Sequence, residues 1–106
     1  MSANPFAGEV EVTLDGAPHI ARLTLGALAT LEAEIGAESM VALIERFEGA
    51  KITSRDVLAV LVAGLRGGGW RGRAEDLMTV EIGGGPIGAA RAAAELLARG
   101  FRLEAS

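Results

Sequence analysis

The sequence predicts an α+β fold, mainly helical, in which an N-terminal β-hairpin is followed by four to five short helices. Two observations carry that prediction. Residues 9–23 alternate polar and apolar around an Asp15-Gly16 pair, the pattern of two half-buried strands joined by a tight turn. From Thr24 onward apolar residues recur at three- and four-residue spacing, punctuated by glycine, as short helices and their stops require.

In the first strand Val10, Val12 and Leu14 share one face and Glu9, Glu11 and Thr13 the other. Asp-Gly suits a type I′ turn, which needs positive φ at both central residues. The return strand, about Ala17 to Leu23, sets Ile20, Arg22 and Thr24 against Ala21 and Leu23. Pro18 cannot donate to a ladder, so its edge should face solvent. Two strands alone are marginal, so the hairpin must pack on helices or on a partner.

Thr24 is placed to cap the first helix, with Leu23 and Leu28 as a hydrophobic staple. Leu25, Leu28, Leu31 and Ile35 form its expected inner stripe, and Gly36 its stop. A second helix, about Glu38 to Glu48, should turn Val41, Ile44 and Phe47 inward and end at Gly49. Thr53 opens the third, with Asp56 at the capping-box position and Ile52 stapled to Val57. This helix is apolar on nearly every side (Val57, Leu58, Val60, Leu61, Val62, Leu65), so it should be the central element. Ala74 to Ile82 reads as a weak helix or an extended segment. After Gly83-Gly84-Gly85, Pro86 stands where a first helical residue belongs, and the last helix should run to about Arg99 with Gly100 as its cap.

At 106 residues the chain is the size of one domain. Residues 1–8 are expected to be a loose N-terminus and 9–106 a single domain, with no internal repeat. Half the residues are hydrophobic, enough for a packed fold, and only 4% are aromatic. A core of Ala, Leu, Val and Ile suits closely packed helices. The absence of cysteine excludes disulfides and thiolate chemistry and fits a reducing compartment. MSANPFAGE lacks the basic and apolar regions of a secretory signal, and Val57 to Leu65 is too short to span a bilayer. A soluble, cytoplasmic protein is expected. A net charge of −4 and a pI near 4.9 disfavour a dedicated nucleic-acid binder.

Catalytic chemistry finds little support. The one histidine, His19, reads as a partly exposed strand residue, and without cysteine only carboxylates could complete a zinc site around it. Glu32 with Glu34, Glu45 with Glu48, and Glu75 with Asp76 are the paired carboxylates. None comes with the convergent polar groups of a pocket, and the last pair suits the start of the fourth helix. Gly83 to Gly88 precedes a helix but lacks the Lys and Ser or Thr of a phosphate-binding loop. The dinucleotide fingerprint also fails, for want of a βαβ setting. No catalytic residue, metal ligand or cofactor is therefore expected.

The turn Arg66-Gly67-Gly68-Gly69-Trp70-Arg71-Gly72-Arg73 is richer. It could clamp phosphate and stack a base, dock a protein through Trp and Arg, or be a solvated loop whose Trp covers the end of the core. Trp70 is the best single interface candidate in the chain. On the last helix an Ala-rich surface, Ala89, Ala90, Ala93 and Ala94, would let another helix approach closely.

GEVEVTLDGAPHIARLTLGALATLEAEIG and VALIERFEGAKITSRDVLAVLVAGLRGGG, with the closing GAARAAAELLARGF, resemble the small gene transfer agent protein family related to phage tail assembly chaperones. The family is also described as a tail tube protein. The resemblance covers most of the chain but is loose from Trp70 to Pro86. It implies a non-enzymatic chaperone that binds the tape measure protein and assists assembly of the tail tube protein around it. The alternatives are a structural tail tube component and a small nucleic-acid-binding regulator using Arg66, Arg71 and Arg73. Arg66, Trp70, Arg71, Arg73, Ala90 and Ala94 are the candidate partner-binding residues, and homo-oligomers are possible.

Overall fold

The computed structural model describes residues 3–4 and 7–105, the side chains of Ala37 and of residues 101–105 excepted. In chain order it contains β1 (Glu9–Leu14), β2 (Ala17–Arg22), α1 (Leu25–Ile35), α2 (Ala37–Glu48), α3 (Ser54–Gly67), α4 (Ala74–Leu77) and α5 (Gly85–Ala105). This is the α+β, mainly helical architecture that the sequence predicts. The loose N-terminus expected over residues 1–8 includes residues 1–2 and 5–6, outside the described residues. The Asn4 carbonyl accepts from the amides of Ala7 and Glu9, each at 3.0 Å.

The hairpin is antiparallel, with Val10 opposite Ala21, Val12 opposite His19 and Leu14 opposite Ala17. Asp15 and Gly16 take φ values of 48° and 83°, both positive as a type I′ turn demands. Val10, Val12 and Leu14 are buried and Glu11 is exposed. An element that the alternation did not announce joins the hairpin tip. Ile82 bridges Leu14, Asp15 and Glu81 exchange two 2.8 Å bonds, and the Gly83 amide donates to the Thr13 carbonyl at 2.9 Å. The segment from Ala74 to Ile82 is thus one helical turn, α4, followed by an extended stretch laid on β1.

Both expected N-caps form. The Thr24 hydroxyl accepts from the Ala27 amide at 3.0 Å, and Thr53 and Asp56 make a reciprocal capping box. Two expected inner stripes shift by a residue. Leu25 is 76% exposed and Val41 57% exposed. Six residues around a 3.6-residue helix set Leu25 about 120° from Leu31, and Val41 equally far from Phe47. The buried face of α2 is instead built on Met40 and Leu43. Gly100 does not end the last helix, which continues to Ala105. It is buried where α5 crosses Leu23, and a Cβ there would stand 3.3 Å from that of Leu23.

The core gathers on α3. Val60, Leu61 and Leu65 are fully buried between the hairpin, α5 and α1. Its end packs directly on strand backbone: a Cβ at Gly67 would collide with the Arg22 carbonyl oxygen, and one at Gly68 with that of Ile20. These two glycines are therefore needed for close approach, and they cover the outer edge of β2. Its start is tied to α2. The Arg46 guanidinium grips the buried Asp56 carboxylate in two 2.8 Å bonds, while the Thr53 amide donates to the same group at 3.0 Å. One carboxylate thus caps α3 and anchors the end of α2.

Gly68 has an ordinary φ of −89°, so Gly68→Ala should destabilise by collision rather than backbone strain. A loss of about 2 kcal/mol is expected, read from urea melts; a loss near zero would mean that α3 does not lie on β2. The hydrogen bonds from Arg46 hold the Asp56 carboxyl below the usual carboxylate range. A lowered folded pKa stabilises the fold above the unfolded value of about 3.9 and loses that contribution as pH falls through the folded value. Asp56→Asn should therefore be less stable than the native protein at pH 7, with the gap narrowing below about pH 4 in acid-dependent melts.

Candidate functional site

Surplus apolar surface on α3 creates the site. Of its apolar residues, Val60, Leu61 and Leu65 are covered by the hairpin and α5, whereas Leu58, Ala59, Val62 and Ala63 are only half-buried. Gly67, at the end of α3, lies against Ala27 near the start of α1, and Arg55 and Glu34 line the groove toward its other end. The two helices thus run antiparallel and leave an open groove of about 510 Å³ between them. Its floor is Ala27, Leu31, Leu58, Ala59, Val62 and Ala63, and its rim carries Thr24, Thr30, Glu34, Arg55 and Arg66.

The groove has apolar walls under a charged rim. Its two hydroxyls serve the backbone, Thr24 as the α1 cap and Thr30 by donating to the Gly26 carbonyl at 2.9 Å. Among the described residues no set of three or more His, Asp or Glu side chains is arranged to hold a metal ion. Apolar walls with a charged rim are the form that accepts the apolar face of an amphipathic helix.

The candidate residues read from sequence fall on two separate surfaces. Arg66 joins the groove rim and also donates to the Gly72 carbonyl at 3.3 Å, closing the turn that follows α3. Trp70 is half-buried, packed partly on the core and close over Gly72, where a Cβ would strike its ring. With Pro18, His19, Ile20 and Arg71 it borders a shallow depression of about 500 Å³. Arg71 and Arg73 are exposed, and the Arg73 amide donates to the Asp76 carboxylate at 2.8 Å, which caps α4.

The alanine surface divides. Ala89 and Ala93 are buried in the molecule's own core, Ala90 is half-buried and Ala94 is exposed. Ala94 lines a second cleft, of about 370 Å³, between α2 and α5, together with Ile44, Phe47, Glu48, Leu97 and Ala98. The partner-binding candidates read from sequence include Arg66 but no residue of the groove floor. The signal was present in a helix with more apolar sides than its neighbours could cover, and it was read only as centrality.

Compared with models of protein families, the chain matches the one described as phage tail tube protein, GTA-gp10, over residues 7–103. No curated protein and no solved structure matched it.

Proposed function

Because the chain belongs to the phage tail tube protein, GTA-gp10 family, a role in phage-type tails is its premise, and we propose that within it the chain is a non-enzymatic assembly chaperone. It binds the tape measure protein and assists assembly of the tail tube protein around it. The observation that supports this reading is the groove between α1 and α3, whose half-buried Leu58, Ala59, Val62 and Ala63 offer an apolar bed to a helix. A tape measure helix lying there would cover a side of α3 that the described elements leave half-buried.

A structural tail tube component is the second reading, and the family description favours it. Its weakness is the sheet. A subunit that closes a tube through shared sheets needs open strand edges, whereas this hairpin has two strands and both edges are occupied in part. Gly67 and Gly68 cover β2, and Thr13 at the end of β1 bonds Gly83.

Co-expression with a tape measure protein from the same locus, followed by light scattering of the purified material, separates the readings. The chaperone reading expects a soluble complex with several copies of this chain on each tape measure. Thr30→Trp, at an exposed rim position, should fill the groove and abolish the complex while leaving the thermal melt of the free chain unchanged. A tape measure that stays insoluble while the chain builds tubes alone would favour the second reading.

A further inference from the structure

Two charged surfaces stand apart from the groove, the first sharing only Arg66 with its rim. The first follows α3. Residues 66–73 hold three arginines and no acid, and Arg66, Arg71 and Arg73 are exposed beside the half-buried ring of Trp70. The second lies on α2. Glu38, Val41, Glu45 and Glu48 follow one another at three- and four-residue spacing, all exposed, so they form one solvent-facing stripe. The basic residue of α2, Arg46, is held by Asp56. Among the described residues no salt bridge engages Glu38, Glu45 or Glu48, nor Arg66, Arg71 or Arg73.

The acidic stripe borders the apolar cleft between α2 and α5, where Ile44, Phe47, Ala94 and Leu97 form the walls and Glu48 the rim. The basic turn carries the matching features, with arginines around an indole and the apolar rings and chains of Pro18 and Ile20 beside it. The two surfaces cannot meet in one molecule. Glu45 and Glu48 flank Arg46 at the start of α3, and Trp70 follows its end. A 14-residue helix separates them by about 20 Å.

We infer that this chain associates head to tail with a second copy, the Trp70 turn of one copy docking on the acid-rimmed α2–α5 cleft of the next. The occupant is a second copy because one molecule supplies both members of a complementary pair, a turn with three exposed arginines and a cleft edged by exposed glutamates. Opposed charge at the rim of an apolar contact fixes register and orientation and makes association fall with salt. The contact joins different patches on the two copies, so each copy keeps one unused surface and the assembly can extend or close into a ring. This contact meets the α1–α3 groove only at Arg66 on its rim.

Sedimentation and light scattering of the full chain at low and high salt test the inference with two charge-reversed variants. One is Arg71→Glu with Arg73→Glu, and the other is Glu45→Arg with Glu48→Arg, all at exposed positions outside the core. The native chain should associate at low salt and dissociate as salt rises. Each variant alone should associate about tenfold more weakly or worse, with an unchanged melt. Mixed one to one, the variants should recover association, because each reversed surface then meets its reversed partner. A native chain that stays monomeric at low salt, variants that associate like the native chain, or a mixture that stays apart would each overturn the proposal.

Discussion

The structure depends on the burial of α3, a helix with too much apolar surface for its neighbours to cover. The hairpin and α5 take Val60, Leu61 and Leu65 out of water, at a gain of about 1.5–3 kcal/mol for each side chain. That gain requires the end of the helix to approach strand backbone, which is why Gly67 and Gly68 stand there without side chains. The fourth side, along Leu58 and Val62, faces α1 across the groove and remains partly open. Fold and groove therefore have one origin, because the residues that make α3 central also leave the groove apolar.

The remaining elements hold this arrangement in register. Asp56 links the start of α3 to the end of α2, so a single carboxylate joins the two helices. At the other pole, the bonds of Asp15 and Thr13 to the 81–83 segment fasten the hairpin tip to the entry of α5. Arg99 on α5 donates to the Glu9 carbonyl, tying the opposite end of β1 to the same helix. A two-stranded sheet is marginal alone, and here it is pinned at its tip by the 81–83 segment and at its other end by α5.

Local physics made most of the fold legible in the sequence. The Asp15-Gly16 turn, the Thr24 and Thr53 caps and the Asp56 capping box are decided within four residues, and each forms as read. Leu25 and Val41 were misplaced because a strict three-residue spacing drifts around the helix, and α2 turns Met40 and Leu43 inward instead. Gly100 looked like a stop because glycine usually is one; its role depends on Leu23, 77 residues earlier in the chain, and no local pattern contains that contact. The site was less legible still. Arg66 was found through its composition, whereas the groove floor depends on which side of α3 lacks a neighbour, a property of the assembled fold.

Under the proposed reading the chain makes two kinds of contact, an apolar groove for a helix of another protein and a charged pair of surfaces for its own copies. The groove is the central claim. Its most direct test is photo-cross-linking, with a photoreactive residue in place of Thr30 and, as the comparison, one in place of Ile87, which is 74% exposed at the start of α5 and lies outside the groove. Co-expressed with the tape measure protein, the chain should form a cross-link from position 30 and none from position 87. A cross-link from position 87 alone would place the tape measure on another face and contradict the account.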